Sequence, residues 1–190
     1  STLTERIQLS EDKEPIDLSS RTLVRIFSNG SFKEGGRFYR GWWQNVPSEY
    51  RKHMTLDGKK TTEYDFSQLN PHMIYFAYNK EIGSDDAYGR VLDGEHRDIV
   101  KQAFNAMIQA NGPLNQKPRD INLDGLEMNW NDLRQRILNN HKPIQHLFFS
   151  GIGNRLQFED SCIAESVMLN FRKRDVPALP VHDSFIMHHG

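Results

Sequence analysis

Apolar residues return one helical turn apart at Ile99, Val100, Ala103, Phe104, Met107 and Ile108, a period that predicts a helix over 94–111 with one buried stripe. Arg97, Lys101 and Asn105 step along its polar edge, with about 6 Å of rise between successive members. Gly112-Pro113 then stops the helix. The same period, carried by Ile163, Ala164, Val167, Met168 and Phe171, predicts a second long helix over 154–173 with Cys162 in its core. Trp130, Leu133, Ile137 and Leu138 mark a shorter helix in which Asp132 and Arg136 form an i, i+4 pair. Leu69 to Tyr78 suits a fourth, with Pro71 in its first turn.

Strand patterns lie outside these helices. Thr22 to Phe27 reads as a strand ended by the turn Ser28-Asn29-Gly30-Ser31. Leu56 to Lys60 is a turn, and Thr61 to Tyr64 a strand that runs into Asp65. Near the end, Ala178-Leu179-Pro180-Val181 and Phe185-Ile186-Met187 flank His182-Asp183-Ser184, the pattern of a tight hairpin with an acid at its turn. The stretch from Gly35 to Pro47, dense in glycine, arginine and aromatics, reads as a loop. It either packs aromatic rings on the core or lets backbone and Arg approach phosphates and bases. Residues 113–126 read as a polar loop, and 1–20 as a charged segment that is frayed or docked on a partner.

Composition narrows the partners. The 190 residues suffice for one domain with a real core. Net charge is −1 and the isoelectric point about 6.7, so a polyanion site would have to be a local groove. Mean hydropathy is −0.70 and no apolar run approaches the roughly 18 residues of a membrane span. The single Cys162 excludes a disulfide framework, and no signal-peptide pattern opens the chain. The expectation is a soluble, cytoplasmic protein with no membrane partner. His182, His188 and His189 do not have the spacing of a zinc site, and the last two read as exposed tail.

Asp65 and Asp183 carry the chemistry. Each stands in an apolar or β-forming run, where an unpaired buried carboxylate is costly. Two such carboxylates converging on Mg²⁺ beside a phosphate would account for both. The plainer alternative makes Asp65 a helix-entry cap and Asp183 a turn residue.

Asp65-Phe66-Ser67-Gln68-Leu69 resembles the first catalytic motif of the family A DNA polymerases, and Val181-His182-Asp183-Ser184-Phe185 resembles their third motif. The His-Asp-Ser form is closer to the phage-type single-subunit RNA polymerases. Gly36-Arg37 followed by Gln44-Asn45-Val46-Pro47 is similar to the stretch that precedes the first motif, and Arg97 with Lys101 matches the core of the fingers helix. These four segments stand in the family's order across roughly residues 35 to 188.

The resemblance implies an α+β fold: a polymerase-like palm of antiparallel sheet backed by helices, with a reduced helical fingers element over 80–145 and no complete thumb. It implies one palm-like catalytic domain over 1–190, acting by two-metal nucleotidyl transfer with Mg²⁺ or Mn²⁺. Asp65, Asp183 and the Phe66 carbonyl would hold the metals. Arg97 and Lys101, with Asn70 and Gln109, would face the incoming dNTP or NTP. Arg37, Gln44, Asn45 and His182 would face nucleic acid, either a primer–template or a single strand.

The departures bear on substrate. Where the family's fingers motif closes on a tyrosine-glycine pair, this chain has Gln109 and, just beyond, Asn111-Gly112. At the position that distinguishes deoxyribose from ribose it has Asn70, neither glutamate nor glycine, so the choice of sugar stays open. The expected partners include an accessory protein or the remainder of a longer chain. Three functions are weighed: a polymerase or primase-like enzyme, a catalytically silent nucleic-acid-binding relative, and an unrelated metal-dependent phosphohydrolase. The last is favoured if further carboxylates such as Glu159, Asp160 or Glu165 join the two aspartates.

Overall fold

The computed structural model describes residues 6–9 and 14–189. The chain forms two compact units: Ser1–Phe66 with Gln157–Gly190, and Ser67–Leu156. The expected helical segment over 80–145 lies inside the second. Antiparallel sheets accompanied by helices make the fold α+β.

The first unit begins with β1 (Arg6–Ile7) paired to β2 (Ile16–Asp17), so part of the N-terminal segment is ordered as strand. Residues 1–5 and 10–13 of that segment lie outside the described residues. β3 (Val24–Ser28) and β4 (Ser31–Tyr39) form a hairpin through Asn29 and Gly30, both in the left-handed region as a two-residue turn requires.

β4 corrects the reading of Gly35 to Pro47 as loop, because its first five residues belong to the strand. Gly35 and Gly36 have φ of 71° and 84°, and the pairing register shifts beside them between Ile26 and Ser28. They form an irregularity inside a ladder, a feature that sequence alone presents as a break. A Cβ at Gly36 would stand 2.9 Å from the Phe27 ring and 3.1 Å from Ser161 Oγ. Left-handed strain and overpacking together predict that Gly36→Ala destabilises the first unit by about 2–4 kcal/mol. A urea midpoint equal to wild type would refute this.

After a 3₁₀ turn at Trp42–Asn45 and the short α1 (Ser48–Arg51), β5 (Thr55–Leu56) turns through Asp57-Gly58 into β6 (Lys59–Asp65). The expected turn is present but shorter: Leu56, Lys59 and Lys60, read as turn, belong to the two strands.

The second unit opens with α2 (Leu69–Ala77), with Pro71 in its first turn. Its N-cap is Gln68, whose Oε1 accepts the Ala87 N–H at 2.6 Å, so Asp65 is not the cap. α3 (Arg97–Gln109) buries Val100, Ala103, Phe104, Met107 and Ile108, the stripe the period predicted. α4 (Trp130–Asn140) starts at Asn129, and Asp132, expected to pair with Arg136, instead completes a capping box there. The polar loop before it is anchored by fully buried Ile121 and by Trp130 Nε1, which donates to the Leu114 carbonyl at 2.9 Å.

A buried polar cluster sits in this unit's core. His141, wholly inaccessible, has Nε2 3.1 Å from the Ala87 carbonyl, and Nδ1 3.0 Å from the Tyr75 hydroxyl and 3.1 Å from Arg90 Nη2. Arg can only donate, so Nδ1 is the acceptor and the ring proton sits on Nε2, bonded to Ala87. Burial, reinforced by the Arg90 charge, pushes the imidazole pKa down to about 4, while the Ala87 bond opposes the shift.

α5 (Gly153–Arg172) carries the chain back into the first unit. Here the apolar pattern misjudged the buried face. Ile163 is exposed, Cys162, Val167, Met168 and Phe171 are half-buried, and the inward positions are Asp160, Ser161 and the expected Ala164. The polar pair is there because the β3–β4 hairpin presents two arginines to it: Arg37 Nε donates to Asp160 at 2.8 Å and Arg25 Nη2 to Ser161 Oγ at 2.7 Å.

β7 (Ala178–Val181) and β8 (Ser184–His188) complete a four-stranded antiparallel sheet in the order β5-β6-β8-β7. Trp43, Val181 and Ile186 form its small core. The two C-terminal histidines are part of this sheet rather than tail. His188 is in β8, and His189 donates its backbone N–H to Lys60 O at 2.9 Å. No helix among the described residues is long and apolar enough to cross a membrane.

Candidate active site

β6 ends at Asp65, and the residue directly across from it is Ser184, the first of β8. The β7–β8 turn is His182-Asp183, closed by the pair Val181 and Ser184, with His182 at φ 55°. Asp183 is therefore chain neighbour to the cross-strand partner of Asp65, and directly paired Cα atoms lie about 5 Å apart. The two acids share one end of one sheet. Asp65 is exposed and Asp183 half-buried, so solvent and ligand can reach them. Phe66 follows directly, its ring edge-on to Phe185 at 6.3 Å, which anchors the segment carrying the Phe66 carbonyl.

Two arginine-bound acids frame this end of the sheet. On β6, Glu63 takes a fork from Arg51, with Nε to Oε2 at 2.8 Å and Nη2 to Oε1 at 2.9 Å. Ser184 Oγ reaches the same carboxylate at 2.6 Å. Burial pushes Glu63 up, but the Arg51 and Ser184 bonds outweigh it and hold the carboxyl below its usual range. Ser184 thus ties the start of β8 to β6 beside both aspartates. Ser184→Ala removes a bond to a charged acceptor and is expected to cost about 1.5–3 kcal/mol. An unchanged melting temperature would contradict that role.

The second framing acid is Asp160, 3% exposed and bonded to Arg37. Burial pushes its carboxyl up, Arg37 opposes this, and the nearby Asp183 charge adds to the rise while His182 lowers it. Asp160 and Glu63 were the residues that sequence reasoning undervalued. The signal available for Asp160 was an acid interrupting the buried face of a helix. Glu63 had only its two-residue offset from Asp65, which sets both on one face of the strand.

The other expected residues divide between the units. In the first, Gln44 uses its side-chain amide internally: Nε2 donates to Phe38 O at 2.9 Å and Pro180 O at 3.0 Å, and Oε1 accepts the Gly41 N–H. Asn45 is exposed, and His182 is exposed with its ring 6.3 Å from that of Tyr39. In the second unit, Arg97 is ion-paired to Asp86 and lies over the Tyr88 ring at 5.4 Å. Asn70 donates to Asn105 at 2.9 Å, Lys101 is exposed, and the Gln109 amide occupies the space a Cβ on Gly153 would need.

Among the described residues, no group of three or more His, Cys, Asp or Glu side chains could hold a metal ion. The donors on hand are two carboxylates and a backbone carbonyl, all hard oxygens. That set fits Mg²⁺, which is usually held by one or two carboxylates and completed by water and substrate phosphate.

No protein-family model, curated protein or solved structure matches the chain.

Proposed function

We propose that this chain is a nucleotidyltransferase that extends a nucleic-acid strand by metal-assisted phosphoryl transfer, as a template-directed polymerase or primase-like enzyme. The observation that carries the reading is the meeting of Asp65 and Asp183 at one end of the β6–β8–β7 sheet. Asp65 is not the N-cap residue of α2, and a binding surface for a polyanion gains nothing from paired acids. The order of the four polymerase-like segments supports the same conclusion.

In this reading Asp65, Asp183 and the Phe66 carbonyl hold Mg²⁺ or Mn²⁺. When bound, the metal makes an attacking hydroxyl more acidic and neutralises the leaving pyrophosphate. Arg37 and His182 bind and orient the nucleic acid near the acids. In the second unit Arg97 and Lys101 bind the triphosphate, with Arg97 stiffened by Asp86. A phosphohydrolase is disfavoured, because Asp160 is committed to Arg37 and Glu165 bonds Arg25 at 3.2 Å.

The test is incorporation on a labelled primer–template with Mg²⁺ or Mn²⁺, offering dNTPs and NTPs separately. Extension with one set defines the substrate that Asn70 leaves open. Absence of extension, with metal-independent binding of the duplex, would establish a silent nucleic-acid-binding module instead.

A further inference from the structure

Resting on that reading, we propose that Asp160 is a positioning residue: it grips Arg37 at Nε and so aims the two terminal amino groups of the guanidinium at nucleic acid beside Asp183. The contrast with the neighbouring arginine carries the argument. Arg25 spends its whole fork internally, with Nε on Gly36 O at 2.9 Å, Nη1 on Glu165 at 3.2 Å and Nη2 on Ser161 at 2.7 Å. Its guanidinium also lies over the Phe27 and Phe38 rings. Arg25 is structural. Among the described residues, Arg37 donates from Nε alone, at 2.8 Å to Asp160.

A guanidinium is planar, so fixing its Nε–H fixes the directions of its other four N–H bonds. Those bonds suit paired acceptors, such as the base edges of the minor groove or two oxygens of a backbone phosphate. The grip itself is rigid. Asp160 and Ser161 are consecutive on α5, and each binds an arginine from a different strand of one hairpin. The Gly36 irregularity lies between those contacts.

Stability alone is a weak reason for this pair. A buried ion pair generally adds little over apolar residues of the same volume, whereas a buried carboxylate that orients an arginine fork has a use. Geometry locates the fork beside the proposed metal-binding acids: Tyr39, two residues along β4 from Arg37, has its ring 6.3 Å from that of His182, and Gln44 Nε2 bridges the Phe38 and Pro180 carbonyls.

The experiment is steady-state incorporation by wild type, Asp160→Asn, Asp160→Leu, Arg37→Lys and the Asp160→Leu/Arg37→Lys double variant. Primer–template and nucleotide are varied separately, and melting temperatures are recorded alongside. Asp160→Leu and Arg37→Lys are each expected to raise KM for primer–template about tenfold, and the double variant no further, since both break one interaction. KM for nucleotide should not move. Asp160→Asn keeps an acceptor and should recover most of the loss. If Asp160→Leu fails to fold, Asp160→Asn and Arg37→Lys complete the comparison. Multiplying effects, or an unchanged KM for primer–template in a wild type that extends primers, overturn this inference alone. A wild type that never extends a primer overturns the polymerase reading and this inference with it.

Discussion

Asp65→Asn and Asp183→Asn are each expected to lower the rate of metal-dependent nucleotide incorporation about a thousandfold or more while the protein stays folded. The figure follows from the kind of interaction removed. Taking away one preorganised electrostatic contact at a reacting centre commonly costs about 10²–10³ in rate. A carboxylate that holds a metal contributes charge, geometry and the metal's occupancy together. Folding should survive because asparagine nearly matches aspartate in size and keeps a hydrogen-bonding side chain at each position. The register between β6 and β8 is tied by backbone pairing and by the Ser184–Glu63–Arg51 chain. Single-turnover incorporation with each variant, beside a thermal melt, is the check. Wild-type rates in either variant would remove that aspartate from the chemistry.

The second large effect is acid sensitivity of the second unit. Unfolded, His141 takes up a proton near pH 6.5; folded, burial and Arg90 delay this until about pH 4. Between those values the unfolded state binds more protons, so stability falls as pH falls. The contribution is fully present above pH 6.5, declines through the window and is spent below about pH 4. At about 1.4 kcal/mol per pH unit, the loss comes to roughly 3 kcal/mol.

Glu63 and Asp86, whose carboxyls are held below their usual range, lose their contributions only at the acid end, as pH falls below about 4.5 and 3.8. Asp160, shifted the other way, gains stability on acidification and works against the trend. The upper part of the window therefore belongs to His141. Urea midpoints measured from pH 7.5 to 4.5 should decline for wild type and stay flat for His141→Gln, which should also start lower because it disturbs the bonds to Tyr75, Arg90 and Ala87. The same decline in both proteins would rule out His141 as its source.

Local sequence determined the parts of this protein whose pattern repeats within a few residues. The stripe of α3, Pro71 in the first turn of α2, the Asp57-Gly58 turn and the His182-Asp183 hairpin were all legible, because helix period and turn chemistry are local. So was the presence of two acids in β-forming surroundings. Pairing across the sequence was not legible. Gly35-Gly36 looks like a break until β3 lies alongside, and Asp160 and Ser161 look misplaced on a helix until Arg37 and Arg25 reach them from more than a hundred residues away. Gln44 looks available for a ligand until β7 supplies the carbonyl that occupies it. A polar side chain declares its chemistry in the sequence but not its partner. Only the tertiary structure distinguishes an arginine whose fork is filled, Arg25, from one held by a single nitrogen, Arg37.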